Sequence, residues 1–277
     1  MNSRPLSLGP LTALPLSPPV LIDAAAAAGL DGVGLRMLPA APGGIAYRLM
    51  DDAALLRETL AALASTGLCV VDIEMVRIGP AFALAEFFPL FDTAARLGAK
   101  HILIAGDDPD EARTTAAFAQ VCQALQPYGI TADFEFMPWT CVRDLAAARR
   151  IVQGAAQPNG GILVDALHFA RSNSRLEQLD TVPPGMLHYA QICDGPAAAT
   201  DTLEGLIHAA RCERLLPGEG GLDLVSLFKR LPPRLPVCIE TPSDSRGPRL
   251  GWAAWIQLAA DATRRVLDGV DQIPVNR

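Results

Sequence analysis

The sequence predicts a single domain over residues 1–277 with the (β/α)8 barrel fold, and three observations support this fold class. The length of 277 residues is close to the ~250 residues typical of such barrels. Apolar runs alternate with helical segments along the chain, as in proteins with a parallel sheet. No shift in composition marks a second domain. An open doubly wound sheet is the alternative, but the sequence contains neither G-x-G-x-x-G after the first strand nor G-x-x-x-x-G-K-[ST].

The predicted strands are short apolar segments that are bounded by glycine, proline or charged residues. Residues 5–14 form a weak first strand, and residues 32–38, 69–78 and 101–105 form the next three. The last four strands are the apolar runs that contain Glu135, Asp165, Gln191 and Glu240. Short runs with so few polar residues are typical of strands that are buried on both faces.

Helices are predicted between the strands from the residues at their ends. Aspartates begin the second helix at Asp51, and Gly67 ends it, because acidic side chains favour a helix N-terminus and glycine readily ends a helix. Proline near the start and glycine near the end delimit the first helix in the same way. The predicted helices cover residues 19–30, 51–66, 80–97, 110–125, 140–152, 174–179, 202–211, 223–231 and 251–267.

Composition narrows the class of protein. Half of the residues are hydrophobic and 19% are charged, so a large core is expected and disorder is not. The net charge is −7 and there is no basic run, which disfavours binding to nucleic acid. Six cysteines without a C-x-x-C pair predict reduced thiols in a cytoplasmic protein. No segment has the ~20 apolar residues of a membrane span, and the start lacks the features of a signal peptide.

Four polar side chains lie near the C-terminal ends of four separate apolar runs. They are Glu135, Asp165, Gln191 and Glu240. A parallel barrel gathers the C-terminal ends of its strands on one face, so these side chains are expected to converge there. Three carboxylates and a neutral amide are suitable ligands for a hard divalent cation, and oxygen donors favour Mg²⁺ or Mn²⁺. For Glu135 and Glu240, pairing with an interior arginine is the structural alternative.

Five further residues are candidates for contacts with a substrate. His168 follows Asp165 in a D-x-x-H pattern and could donate a proton to a substrate oxygen or ligate the metal. Trp139 could stack on the apolar face of a sugar or simply pack at the rim. Arg214 and Glu219 could line the mouth of the pocket, and Glu74 in the third strand is a further inward candidate.

The stretch from residue 214 to residue 224 is rich in glycine, and glycines can expose backbone N–H groups to a phosphate. Glu219 in its middle would repel a phosphate, so a turn leading to a helix capped by Asp223 is favoured. With no basic cluster in the sequence, this favours an unphosphorylated substrate. Asp194, three residues after Gln191, is the alternative metal ligand.

The segments FEFMPW, ILVDALHF, YAQICD, LLPGEGGLD and CIETP resemble the xylose-isomerase-like TIM-barrel superfamily. This superfamily includes sugar (phosphate) isomerases and epimerases, inosose and dehydroshikimate dehydratases, and type-IV endonucleases. The resemblance covers about residues 19–267. It implies a divalent metal held by Glu135, Asp165, Gln191 and Glu240. Gln191 is a departure, because the family usually has histidine there.

The resemblance also implies roles and partners. Glu135 and Glu240 match the acid and base of the epimerases, and His168 matches a histidine that contacts a substrate oxygen. The implied cofactor is Mn²⁺ or Mg²⁺, with Zn²⁺ or Co²⁺ as alternatives. The implied partner is a small carbohydrate-like substrate, and a homodimer is one option because the family often forms dimers.

These observations lead to one expected reaction and two alternatives. We expect a sugar isomerase or epimerase that removes a proton α to a carbonyl and forms an enediolate. The first alternative is a dehydratase or lyase of the inosose or dehydroshikimate type. The second is a catalytically inactive barrel that binds a metabolite, which the departure at Gln191 would allow.

Overall fold

The computed structural model describes residues 4–272, and these residues form a closed barrel of eight parallel strands. Each strand pairs with the next along the chain, and β8 pairs back with β1. The predicted fold class is therefore confirmed. The strands β1 to β8 are Leu6–Leu8, Gly32–Arg36, Cys69–Ile78, His101–Gly106, Thr131–Glu135, Gly160–Asp165, Ala190–Ile192 and Val237–Ile239.

The helices lie in the connections between the strands and pack around the barrel. Several begin with an aspartate whose carboxylate accepts a backbone N–H of the first turn, as Asp52, Asp110, Asp144 and Asp223 do. The helices α1 to α11 are Pro18–Ala27, Ala53–Thr66, Phe88–Arg96, Glu111–Leu125, Leu145–Ala155, Ala166–Arg171, Leu176–Leu179, Leu203–Cys212, Leu224–Arg230, Gly247–Leu250 and Trp252–Gln272.

Several predicted boundaries differ from the structure. The third helix begins at Phe88 instead of residue 80, because the 3-10 helix Leu84–Phe87 precedes it. The first strand ends at Leu8 because a 3-10 helix with proline in its first turn, Pro10–Ala13, follows it. The fifth helix begins at Leu145, since a turn in which the Met137 N–H donates to the Val142 carbonyl comes first. Helix α6, which is not among the predicted helices, directly follows β6 and carries His168.

Alternation along each strand separates two layers of side chains. Phe134 and Phe136 pack into the core between the strands and the helices, whereas Glu135 between them faces the barrel interior. The interior also holds an apolar cluster that includes Leu163 and Tyr189. Alternation therefore turns the C-terminal polar residues of neighbouring strands toward one space.

The interior is polar at the N-terminal end of the barrel as well. Asp133 is fully buried, and its carboxylate accepts hydrogen bonds from His188 Nδ1 at 2.7 Å and Thr131 Oγ1 at 2.5 Å. His101 Nδ1 lies 2.6 Å from the same threonine oxygen. Gly161 leaves room for this cluster, because a Cβ there would lie 2.3 Å from Asp133 Oδ1. The cluster satisfies its own hydrogen bonds, in agreement with a structural role for both histidines.

Among residues 4–272, no helix is both long and apolar enough to cross a membrane.

Candidate active site

A cavity of about 260 Å³ opens at the C-terminal ends of the strands. This is close to the lower end of the range of small-molecule pockets, roughly 300–1,000 Å³. The expected catalytic residues all line it. Its polar lining consists of Arg36, Glu74, Arg77, Glu135, His168, Arg211, Arg214 and Glu240, and its apolar lining includes Met75, Leu103, Met137 and Trp139.

Arg214 is the central cation of the site and is only 2% exposed. Its Nη1 donates to Asp165 Oδ2 at 2.6 Å, and its Nη2 lies 3.1 Å from Glu240 Oε2. Its Nε donates to the Ala210 carbonyl at 2.7 Å, which fixes the plane of the guanidinium. The alternative expectation that an interior arginine would pair with Glu240 is therefore met, and Asp165 shares the same arginine.

His168 and Glu135 form the second contact of the site. His168 Nε2 lies 3.6 Å from Glu135 Oε1, and the edge of the imidazole meets the Trp139 ring at a centroid distance of 4.9 Å. Asp165 caps helix α6 by accepting the His168 backbone N–H at 2.8 Å, which explains the D-x-x-H spacing. His168 Nδ1 and Trp139 Nε1 are buried and have no hydrogen-bond partner in the described part of the chain. Both could therefore contact a substrate oxygen.

Burial and charge set the protonation states of these groups. Burial, with the like charges of Glu240 and Asp165, raises the pKa of Glu135 well above its usual range. Burial also raises the pKa of Glu240, although the Arg214 guanidinium opposes this. Burial raises the pKa of Asp165, but the charges of Arg214 and His168 and the hydrogen bonds from both residues together outweigh it, and the net shift is downward. Burial lowers the pKa of His168 to about 4, so the imidazole is neutral at pH 7.

Glu74 also lies in the site, but it is paired. Arg36 at the end of β2 donates from Nε to Glu74 Oε2 at 3.0 Å, and its Nη2 contacts the same oxygen. The other oxygen, Glu74 Oε1, is buried and has no partner among residues 4–272. One carboxylate oxygen of Glu74 therefore remains available to a ligand.

The donors present fit a divalent cation. Glu135, Asp165 and His168 offer ligand atoms that all lie within 4.8 Å of one another. Gln191 is paired with Asp165 in the β6–β7 register and is fully buried, yet neither atom of its amide has a hydrogen-bond partner within the described chain. Buried amides are normally satisfied. An unpartnered amide oxygen beside a carboxylate is consistent with a ligand position. Glu240 is not part of this group, and its carboxylate contacts Arg214 Nη2.

Four candidate residues do not line the cavity, namely Asp165, Gln191, Asp194 and Glu219, and the last two have other partners. Glu219 forms a two-point ion pair with Arg246, with Oε1 3.0 Å from Nη2, and it does not line the cavity. Asp194 accepts backbone N–H groups from Gly218 at 2.9 Å and Gly220 at 3.0 Å, as well as two others. The glycine-rich loop therefore binds a carboxylate of this chain with the amides that a phosphate would need, and Asp194 does not serve as the alternative metal ligand in this arrangement.

The sequence reasoning missed three arginines that line the cavity. Arg36 ends strand β2 just as Glu135 ends β5, so its position at a strand end was an available signal. Arg77 lies near the end of β3, where the same argument applies. Arg211 lies in the last turn of α8, and its sequence context gives no sign that this helix end reaches the cavity.

Together, the closed barrel and the buried acids at its C-terminal face define a (β/α)8 barrel with a polar cavity where barrel enzymes have their active sites. The chain belongs to the xylose isomerase-like TIM barrel family, whose model matches residues 22–266. No curated protein sequence matches the chain significantly.

Solved structures share this fold at low sequence identity. The IolI protein with a bound zinc atom has a TM-score of 0.80 and 20% identity over 97% of this chain and 99% of that one. The 3-keto-D-glucoside 4-epimerase YcjR from E. coli has a TM-score of 0.70 and 16% identity over 95% and 99%. A xylose isomerase-like TIM barrel/4-hydroxyphenylpyruvate dioxygenase fusion protein has a TM-score of 0.77 and 19% identity over 99% of this chain, but this chain spans only 45% of its length. At these identities the similarity shows the fold alone.

Proposed function

We propose that this protein is an isomerase or epimerase that acts on a small carbohydrate or keto-polyol by moving a proton α to a carbonyl. The observation that carries the proposal is the pair Glu135 and Glu240, two buried carboxylates with raised pKa values that line one cavity. A carboxylate whose pKa is raised toward neutrality can both accept and return a proton during turnover. The sugar epimerases among the similar structures are consistent with this class of reaction.

The two glutamates are in different environments, and this suggests their order of action. Arg214 contacts Glu240 at 3.1 Å and favours its ionised form, whereas Glu135 faces a histidine that is neutral at pH 7. Glu240 therefore removes the α-proton, and Glu135 returns a proton to the opposite face of the same carbon or to the adjacent carbon. The first outcome is epimerisation and the second is isomerisation.

The negative charge that develops on the substrate oxygen needs a partner in the cavity. His168 and Trp139 each have a buried ring nitrogen without a partner in residues 4–272, and either can donate to that oxygen in the appropriate tautomer. Glu135, Asp165 and His168 would hold a divalent cation, Mn²⁺ or Mg²⁺ by donor type. The family resemblance adds Gln191 and Glu240 as further ligands. When bound, such an ion would polarise the carbonyl group and stabilise the enediolate.

The same residues support a dehydratase as the second candidate. If a hydroxyl group lies β to the carbanion, loss of water replaces return of the proton to carbon. Glu135 is compatible with this candidate, because a carboxyl group with a raised pKa could donate the proton with which the hydroxyl leaves as water. The two candidates are distinguished by product, since elimination leaves a new C=C double bond that absorbs in the ultraviolet.

The test is exchange of the substrate α-proton with D₂O, followed by NMR over a panel of keto-sugars and keto-polyols. Glu240→Gln and Glu135→Gln are expected to lower exchange by roughly 10²–10⁴-fold, the usual contribution of a general acid or base. Glu219→Gln is the matched control, because this glutamate pairs with Arg246 outside the cavity. Exchange at the wild-type rate in both cavity variants would exclude the proposed roles.

A further inference from the structure

Four arginines line the cavity, and three of them are paired with acidic residues. Arg36 pairs with Glu74, and Arg214 pairs with Asp165 and Glu240. The third paired arginine, Arg77, contacts Asp107 and lies on β3, and the fourth, Arg211, lies on α8.

Arg77 and Arg211 differ in what they contact. Arg77 Nη1 forms an ion pair with Asp107, and its Nη2 donates to the Ala40 carbonyl at 3.3 Å. Arg211 has neither a hydrogen bond nor an ion pair with any residue that the structure describes, although it is partly buried. The other three arginines that line the cavity each form an ion pair with an acidic residue.

The surroundings of Arg211 disfavour an isolated positive charge. Burial lowers the pKa of Arg211, and the positive charges of Arg77 and Arg36 lower it further, while Cys212 and Asp107 oppose the shift only partly. A guanidinium cannot relieve this by losing its proton under ordinary conditions. An anion in the cavity would supply the missing partner.

We propose that Arg211, assisted by Arg77, binds an anionic group of the substrate, either a carboxylate or a phosphate ester. This rests on the proposed function, and it narrows the substrate to a carbonyl compound that carries an oxyanion. The planar guanidinium of Arg211 suits two-point hydrogen bonding to either group. The glycine-rich loop cannot take this role as it stands, because its amides already bind Asp194. Arg77 and Arg211 are distant in sequence, so they do not form the basic cluster whose absence favoured an unphosphorylated substrate.

The experiment is isothermal titration calorimetry at low salt with three probes of similar size. D-fructose is neutral, D-fructose 6-phosphate carries a phosphate ester, and 5-keto-D-gluconate carries a carboxylate. We expect at least one anionic probe to bind roughly tenfold or more tightly than D-fructose, and the preference to shrink as NaCl is added. The anionic probe that is preferred identifies which oxyanion the subsite accepts.

Matched variants locate the effect. Arg211→Gln is expected to abolish the preference, and Arg77→Gln to reduce it. Arg249→Gln, which removes an equal charge from an exposed helix outside the cavity lining, is expected to keep it. The proposal is overturned if neither anionic probe binds at millimolar concentration, if charged and neutral probes bind equally, or if Arg211→Gln retains the preference.

Binding and catalysis are measured separately, so the two proposals can fail independently. A charge preference without proton exchange would support the anion subsite and contradict the proposed reaction. Proton exchange without a charge preference would contradict only the subsite.

Discussion

Replacing Arg214 by methionine tests whether the guanidinium holds the buried acids together. The substitution keeps much of the side-chain volume but leaves Asp165 and Glu240 buried without their cation. Breaking a buried ion pair by removing one partner costs about 3–5 kcal/mol of unfolding free energy. At about 2 °C per kcal/mol for a chain of this size, the Tm is expected to fall by roughly 6–10 °C in EDTA.

The control is Arg246→Met, which breaks the ion pair with Glu219 near the surface. The Arg246 and Glu219 side chains are 27% and 40% exposed, so water screens their attraction and the expected loss is about 1 kcal/mol or less. Both variants are compared by thermal unfolding followed by circular dichroism. If Arg214→Met unfolds within 2 °C of the wild type, the buried carboxylates do not depend on the guanidinium and the electrostatic reasoning fails.

Two further predictions concern the N-terminal end of the barrel. Gly161→Ala is expected to destabilise the fold by about 1–3 kcal/mol in chemical denaturation, because its Cβ would collide with Asp133 and His188; an unchanged midpoint would contradict this packing. The free energy of unfolding should also depend on pH through the protonation of Asp133 and His188. Burial lowers the pKa of His188, but its hydrogen bond to Asp133, the charge of Asp133 and a backbone hydrogen bond together outweigh this and raise the pKa. The hydrogen bonds and charges of His101 and His188 outweigh burial and lower the pKa of Asp133. The pair therefore stabilises most between about pH 4 and 6.5. The stability gap between wild type and His188→Gln should narrow as the pH rises from about 6.5 through the folded-state pKa of His188, and a gap that is constant from pH 6 to 9 would be inconsistent with the pairing.

The barrel could be predicted from the sequence because its signals are local. Strand-length apolar runs, aspartates at helix starts and glycines at helix ends each depend on a few neighbouring residues. The same local signals show which residue ends a strand. Glu135 and Asp165 could therefore be placed at the C-terminal face from their positions in the sequence. Errors arose where proline or a turn delayed an element, as before Leu145.

The partners of these side chains could not be predicted, because they depend on contacts between distant segments. Arg214 is 49 residues from Asp165, and no sequence spacing indicates that it contacts both Asp165 and Glu240. Glu219 lies close to Arg214 in sequence, but its side chain turns to Arg246 instead of the cavity. The direction of a charged side chain on a loop depends on which opposite charge lies within reach. The sequence pattern does not show which charge that is.

Substitution of Gln191 is the sharpest test of metal binding. Its buried amide lowers the stability of the fold when it has no partner, and it could ligate a metal ion when one is present. A buried polar group without a partner costs about 1–3 kcal/mol, so Gln191→Leu should be more stable than the wild type in EDTA. If the Gln191 oxygen ligates a divalent ion, Mn²⁺ should raise the Tm of the wild type and have much less effect on the variant. The order of stability would then reverse between the two conditions. Equal stabilisation of both proteins by Mn²⁺ would place the ion among Glu135, Asp165 and His168 without Gln191, whereas a wild type that remains unaffected by Mn²⁺ would leave Arg214 as the cation that the acids require.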